Sequence, residues 1–375
     1  MKILVTGAGG FIGKNLIAEL KNKKAGELLP IYHDTDEESL RAALGECDFI
    51  YHLAGVNRPL EEKEFDEGNR GFTEKLLELA MATGRKIPFL ITSSTQAELD
   101  NPYGRSKRAG ERAVFDYGKR TGSPVYVYRL PNVYGKWSRP NYNSAVATFC
   151  NNIAAGLPIQ VNDPEAVMRL VYIDDVVEEF IAALEGRATE AEGGDAGERF
   201  FRVSRVHVRK LGEIASLIKS FRESRENLSV ADMSDPFVSS LYSTYLSFLP
   251  KDAFSYPLKM NVDNRGSFTE FLRNKDRGQV SINISHPGIV KGQHWHHSKN
   301  EKFLVVKGRG VIRFRKIGSD EVIEYFVSGD RLEVVDIPTG YTHSITNLGD
   351  EDMVTVMWAN EPFDPQKPDT YYEEV

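Results

Sequence analysis

Two rhythms of apolar residues divide the chain. Through the first two-thirds, short continuous apolar runs at Lys2–Thr6, 28–32, 48–53 and 87–92 read as buried strands, while Phe11, Ile12, Leu16, Ile17 and Leu20 recur at the spacing of one helix face. Further helices are predicted over 145–155 and 211–221, and 171–177 (VYIDDVV) reads as another strand. Strands alternating with helices predict a doubly wound parallel sheet. From Met260 the rhythm changes to short runs broken by turns, at 279–284, 302–306, 310–314, 322–327, 331–337 and 353–357. That spacing predicts an antiparallel sandwich or barrel. Residues 1–247 are therefore assigned to an α/β domain and 248–375 to an all-β domain. The aromatic-rich stretch 241–258, with Pro250 and Pro257 as breakers, is expected to be a connector packed against the second domain. The acidic, glycine-containing stretch 185–198 reads as an exposed loop.

Composition narrows the field. With 375 residues, 41% hydrophobic and 27% charged, the chain is a soluble globular protein too long for one ordinary core. A net charge of −7 and a pI near 5.7 argue against nucleic acid or an anionic membrane as partner. Cys47 and Cys150 make no disulfide framework, which points to a reducing compartment. The apolar run before the first glycines is too short for a signal-peptide core, and no run approaches membrane-spanning length, so a cytoplasmic protein is expected.

The first strand feeds directly into Gly7, Gly10 and Gly13 at dinucleotide-fingerprint spacing, followed by a helix. Gly7 permits the tight turn, Gly10 lets backbone approach a pyrophosphate, and Gly13 lets the helix pack closely. The helix N-terminus, at Phe11 and Ile12, offers unpaired N–H groups to that anion. At the end of the second strand, Asp34 would take ribose hydroxyls and favour NAD, whereas His33 would meet a 2′-phosphate. Leu53, Ala54 and Gly55 follow the third strand, and small residues there suit close approach of a cofactor. Tyr103 and Lys107 stand four apart on a predicted helix and so share a face. A nearby lysine favours the phenolate and lowers the tyrosine pKa, making the phenol a proton donor to a carbonyl, with Ser94 hydrogen-bonding the same oxygen.

These motifs, TGAGGFIG, HLAG, the Ser93-Ser94 pair, YxxxK, RLPNVYG at 129–135 and VYIDDVV, resemble the extended short-chain dehydrogenase/reductase family over most of residues 1–240. The resemblance implies a Rossmann-like sheet, a nicotinamide cofactor and a nucleotide-sugar substrate. It implies Ser94, Tyr103 and Lys107 as the catalytic set and places Pro131, Asn132 and Val133 beside the nicotinamide. Lys136, Arg139, Asn143 and Arg169 would then contact a nucleotide diphosphate and its base; the alternative is a solvated cationic loop. Only eight residues separate Ser94 from Tyr103, fewer than in extended members, so a more open pocket is expected.

In the last third, His294 and His296 alternate onto one side of a predicted strand, Glu301 opens the next apolar run, and His343 follows downstream. Two imidazoles and a carboxylate converging inside a barrel make a site for a divalent metal. His297 alternates to the other face. The stretch 288–308 matches the first cupin motif, and 338–347 the core of the second, with Leu332 where a glycine usually leads. The cupin resemblance implies a jelly roll whose His294, His296, Glu301 and His343 share one metal, zinc by expectation. NVDNRGSFTE (261–270) and VKGQH (290–294) also resemble the dTDP-4-keto-sugar 3,5-epimerases, cupins that need no metal. That likeness implies His294 as a base and turns Arg265 and Phe268 toward substrate, although the tyrosine acid of those enzymes has no clear match. His296 stays open between ligand and proton-transfer partner.

Taken whole, including NPYGRSK, KWSRPNYNS, LYSTYLS and FDPQKPDTYY, the chain resembles the bifunctional capsular-polysaccharide enzymes of the CapF type. That resemblance implies a cupin that epimerises C3 of a UDP-2-acetamido-2,6-dideoxy-4-keto hexose. The reductase would then reduce C4 with NADPH, giving UDP-N-acetyl-6-deoxy-L-talosamine, a precursor of L-fucosamine in capsule or O-antigen. Asp34 leaves NADH possible, and a homodimer is implied. Two alternatives remain: a 4-reductase whose cupin only binds substrate or dimerises, and a non-catalytic sensor of nucleotide and sugar.

Overall fold

Strand β1 (Lys2–Thr6) carries Ile3, Leu4 and Val5, all fully buried. Alternation along the strand sends Ile3 and Val5 into one apolar cluster and Leu4 into another, so both faces of the sheet need covering. The computed structural model, which describes residues 1–59, 61–192, 198–274 and 276–375, supplies helices on both.

After β1 come α1 (Phe11–Asn22), β2 (Glu27–Ile31), α2 (Glu37–Glu46) and β3 (Phe49–His52). A single turn, α3 (Lys63–Phe65), runs through a π-helical stretch at Asp66–Gly71 into α4 (Phe72–Ala82). Then follow β4 (Phe89–Ser94), α5 (Pro102–Thr121), β5 (Val125–Leu130), β6 (Asn132–Tyr134), α6 (Ala145–Ala154) and β7 (Val167–Tyr172). The series ends with α7 (Ile173–Leu184), β8 (Phe200–Phe201), β9 (His207–Lys210), α8 (Leu211–Asn227) and α9 (Pro236–Leu246). The main sheet has the order β2-β1-β3-β4-β5-β8 with every pairing parallel. Helices α1 and α7 pack on the Ile3 face, and α2, α4 and α5 on the Leu4 face. This is the doubly wound sheet that the apolar rhythm predicts. The order reverses at β1, with β2 on one side and β3 on the other, and a ligand crevice forms outside the carboxyl ends of strands at such a switch point.

Two expectations are corrected. VYIDDVV is not one strand: β7 stops at Tyr172, and Ile173 opens α7. Asp174 and Asp175 favour a helix N-terminus, and Ile173, Val176, Val177 and Phe180 then fall on one buried helix face. The aromatic stretch 241–258 does not pack as a whole against the second unit. Its first part completes α9, which has Pro236 in its first turn, an Asp235 cap accepting from Phe237 N, and buried Phe237, Leu241 and Tyr245. α9 packs on α6, and Ser234–Pro250 belongs with Met1–Lys219. Of the predicted loop 185–198, residues 193–197 lie outside the described residues.

The second unit comprises Ser220–Met233 and Lys251–Val375. Its strands are β10 (Asn261–Asp263), β11 (Gly266–Asn274), β12 (Gly278–Ser285), β13 (Val290–Trp295), β14 (Glu301–Lys307) and β15 (Arg309–Lys316). They continue as β16 (Val322–Ser328), β17 (Val334–Ile337), β18 (Tyr341–Asn347), β19 (Met353–Ala359) and β20 (Tyr371–Tyr372). One sheet runs β10-β11-β12-β19-β14-β17, the other β16-β15-β18-β13-β20, and the pairings are antiparallel. Phe303, Val305, Ile312, Phe314, Ile337, Ile345 and Met353 form a buried core cluster of this unit. The architecture is the jelly roll expected of a cupin. Among the described residues, no helix is long and apolar enough to cross a membrane.

Candidate functional site

In the first unit the crevice is a cavity of about 840 Å³. Gly7 has φ +64°, and a Cβ there would sit 2.7 Å from Ala54 N and 2.8 Å from Leu53 C. Only glycine lets the turn after β1 press against the loop after β3. At Gly13 a Cβ would lie 2.3 Å from Gly7 O, so this glycine packs the helix on the turn itself. α1 begins at Gly10 with no side-chain cap and no acid in its first turn, which leaves its amides available to an anion. The glycine cradle and the uncapped helix fit a dinucleotide.

Gly7, Gly10, Phe11, Ile12, Gly13, Leu53, Gly55, Ser94, Tyr103, Lys107, Pro131, Asn132, Val133, Arg139 and Asn143 all line this cavity. Ala54 does not; it packs behind Gly7. His33 and Asp34 are outside the lining too, in an exposed turn after β2, with 3.8 Å between Nδ1 and Oδ1. Lys136 pairs with Asp174, and Arg169 is exposed while its neighbours Met168 and Leu170 line the cavity.

The short Ser94–Tyr103 interval closes with a 3₁₀ turn, Thr95–Glu98, capped by Ser94, and then with Asn101, whose side chain accepts from Gly104 N at 2.7 Å. Pro102 starts α5, and Tyr103 and Lys107 fall one turn apart at the cavity. Tyr103 donates to Asn57 Oδ1 at 3.0 Å, and buried Lys107 donates to Thr92 O at 2.7 Å. Burial pulls Lys107 down to about 8 against the nearby Glu111 charge. The expectation that Lys107 lowers the Tyr103 pKa is corrected. Burial raises the phenol above its ordinary value, a hydrogen bond with Ser94 opposes this only in part, and the lysine is turned to the Thr92 carbonyl.

Sequence reasoning missed Asn57 and also His52, which backs the crevice loop. His52 Nδ1 meets Thr6 Oγ1 and Nε2 meets Thr73 Oγ1, both at 2.8 Å, and Thr6 Oγ1 accepts from Ala54 N at 3.2 Å. Burial pushes this imidazole down to about 3. The HLAG motif marked the position, but nothing local in it reveals partners 46 and 21 residues away.

In the second unit, Gly292 (φ +97°) and Gln293 (φ +61°) form a bulge in β13 that brings His294 opposite His343 of β18. A Cβ on Gly292 would lie 2.7 Å from His343 O. Glu301 comes from the facing sheet, and His296 lies one residue past β13. One ligand atom from each of His294, His296, Glu301 and His343 lies within 4.8 Å of the others. Glu301 Oε2 is 3.5 Å from His296 Nε2 and 3.4 Å from His343 Nε2. These three atoms are buried and lack a hydrogen-bond partner among the described residues. Unpaired buried donors and acceptors are costly unless something joins them, and this N/N/N/O set suits a divalent transition metal. Burial pulls His294 down to about 4, with the other two imidazoles adding to it. Burial pushes Glu301 up, but His296 and His343 more than reverse this and hold its carboxyl well below the ordinary range. His297 is exposed beside Trp295. Arg265 is exposed and pairs with Asp263 at 2.6 Å; Phe268 is half-buried on β11.

Residues 3–196 match the NAD dependent epimerase/dehydratase family, and residues 261–371 match the polysaccharide biosynthesis C-terminal domain. The chain belongs to the NAD dependent epimerase/dehydratase family. It is of the CapF type, a short-chain reductase fused to a cupin. A UDP-2-acetamido-2,6-beta-L-arabino-hexul-4-ose reductase of Pseudomonas aeruginosa is 48% identical over 371 residues, covering 99% of this chain and 98% of the relative. The crystal structure of the capsular polysaccharide assembling protein CapF from Staphylococcus aureus aligns with TM-score 0.94 and 53% identity over the full length of both chains. A CapF structure with the inhibitor 3-isopropenyl-tropolone aligns with TM-score 0.90 and 49% identity, again over both full lengths.

Proposed function

We propose that the chain is a bifunctional UDP-sugar enzyme of capsule or O-antigen biosynthesis. Its cupin epimerises C3 of UDP-2-acetamido-2,6-dideoxy-4-keto-L-hexose. Its reductase unit then reduces C4 with NADPH to UDP-N-acetyl-6-deoxy-L-talosamine, a UDP-N-acetyl-L-fucosamine precursor. The full-length likeness to a reductase of a UDP-linked 4-keto amino sugar supports the second step. The first is carried by one observation, the His294, His296, Glu301, His343 cluster, in which buried ligand atoms of the last three have no hydrogen-bond partner among the described residues.

A ketone at C4 acidifies the hydrogen on C3, and its removal needs a base and a partner for the developing enolate oxygen. His294, Glu301 and His343, with His296 as fourth ligand or proton partner, would hold a divalent metal, zinc by donor type, which when bound would polarise that oxygen. An imidazole not tied to the metal takes and returns the C3 proton; His296 is the one placed between that role and ligation, while His294 is needed as a ligand. A tropolone carries two adjacent oxygens that chelate metals, so its use as inhibitor of a relative supports the same reading.

At the reductase site the nicotinamide, when bound, supplies hydride to C4. Tyr103, which burial keeps protonated, gives its proton to the C4 oxygen, and Ser94 hydrogen-bonds the same atom. Lys107 supports the Tyr103 face from the next helical turn. Arg139 and Asn143 would contact the nucleotide diphosphate. His33 is the group that would meet the 2′-phosphate of NADPH. A homodimer is supported by edge strand β16, where Val322, Ile323, Tyr325 and Phe326 are all exposed.

Separate variants test the division of labour. Tyr103→Phe is expected to stop NADPH oxidation with the keto-sugar while C3 epimerisation continues, and His294→Ala to do the reverse on pre-epimerised substrate. Loss of both steps in either variant would contradict two independent sites.

A further inference from the structure

The residues after the last long strand return to the cupin site. β20 pairs with β13, setting Tyr372 opposite His294 and Tyr371 opposite Trp295. Glu373 N donates to Gln293 O at 3.0 Å, and Val375 N donates to Gln293 Oε1 at 2.9 Å. Arg315 of β15 holds Glu373 at 2.8 Å. Two residues before β20, Asp369 makes contacts of two kinds. Its main-chain carbonyl accepts from His296 Nδ1. Its carboxylate accepts from His297 N at 2.9 Å, Ser298 N at 2.8 Å, Lys299 N at 2.8 Å and Ser298 Oγ at 3.1 Å.

His296 lies past the end of β13, outside the strand ladder; on its main chain, Gly340 N donates to its carbonyl at 3.1 Å. The turn clamped by the Asp369 carboxylate leads from His296 straight to Glu301, so it joins two of the four cluster residues. A carbonyl oxygen carries no proton, so the proton at this contact sits on His296 Nδ1 and the lone pair is left on Nε2. Nε2 is the atom that faces Glu301. His343 differs: neither of its ring nitrogens has a hydrogen-bond partner among the described residues.

We propose that Asp369 is a positioning residue for the metal centre: its carbonyl fixes the tautomer and aim of His296, and its carboxylate fixes the turn joining His296 to Glu301. The inference rests on the metal reading above and adds to it a group remote in sequence that touches neither metal nor substrate. Outer partners of metal ligands change metal affinity by about ten- to a hundred-fold. The β20 strap is thereby coupled to the centre, since displacing it releases both the His296 hydrogen bond and the turn.

The test uses the full chain with Zn²⁺ and a competing chromophoric chelator. Asp369→Ala is expected to weaken Zn²⁺ binding by roughly ten- to a hundred-fold. Asp369→Asn, which keeps one acceptor oxygen, is expected to fall between it and the parent. Parent-like affinity in Asp369→Ala would overturn the proposal. Ring ¹⁵N–¹H spectra of the metal-free protein decide independently of metal binding. The parent should show His296 as the Nδ1–H tautomer with a slowly exchanging proton; Asp369→Ala keeps the main-chain acceptor but frees the turn that follows His296, and should speed that exchange. Identical His296 signals in both would overturn the proposal even if no metal binds. Absence of Zn²⁺ binding by the parent, with the His296 difference present, would refute the metal reading and leave the positioning role standing. A far-ultraviolet spectrum unchanged in the variant excludes global unfolding as the cause.

Discussion

His52 makes the first unit sensitive to acid in a way that can be worked out in advance. Its imidazole is buried between Thr6 and Thr73 with a pKa of about 3, against 6.5 for the ordinary group. A histidine depressed in the folded state takes up its proton first in the unfolded state. The stability it contributes is complete above the unfolded pKa and is lost as pH falls toward the folded one. Between pH ~6.5 and pH ~5 the loss is about 2 kcal/mol, at roughly 1.4 kcal/mol per unit, before carboxylates titrate. His207 is also depressed by burial and acts with the same sign, so the His52 share appears as a difference between parent and His52→Gln. At neutral pH the variant should be less stable by about 1–2 kcal/mol through lost hydrogen bonds. That deficit should shrink, and then reverse, as pH is lowered. Urea unfolding followed by Trp137 fluorescence, with Trp295 and Trp358 replaced by phenylalanine, reads this unit alone. Parallel pH curves for parent and variant would refute the reasoning.

Three further outcomes follow from geometry. Arg129→Ala strands the buried Glu111, which it now holds through two bonds of 2.9 and 2.7 Å, and should cost about 3–5 kcal/mol in urea unfolding. Most of that loss should return in Arg129→Met with Glu111→Gln. Gly13→Ala forces a methyl to within 2.3 Å of Gly7 O, so α1 must shift and cofactor affinity should fall at least about ten-fold by fluorescence titration, with the cupin untouched. Removing metal with a chelator should abolish C3 exchange while NADPH reduction of pre-epimerised keto-sugar continues, and Zn²⁺ should restore it; exchange by the chelated protein would contradict a metal role.

Much of the fold could be read from local pattern because its signals are local. The strand Lys2–Thr6 needs apolar groups on both faces, and Gly7 and Gly13 are required by contacts within their own turn. VYIDDVV misled because strand and helix meet there without a breaker, and a buried strand end and a buried helix face both look apolar. β18 escaped for the opposite reason. Its sequence YTHSITN is nearly all polar yet buried, since it supplies His343 and neighbouring hydrogen-bonding groups to the interior. At the sites, the four cupin residues stood out through their spacing within two motifs. Asn57, His52 and Asp369 did not, because each acts through a partner 21 to 73 residues away that only folding brings near.

The most direct test of two chemistries on one chain is isotope exchange in the absence of reductant. The parent protein, metal-loaded and without NADPH, is incubated with the UDP-linked 4-keto sugar in deuterium oxide, and the sugar is examined by mass and proton spectra. Deuterium at C3, its absence in His294→Ala and its persistence in Tyr103→Phe are the predicted results. A C3 position that stays protonated in the parent would contradict the epimerase assignment and leave the cupin without a catalytic role.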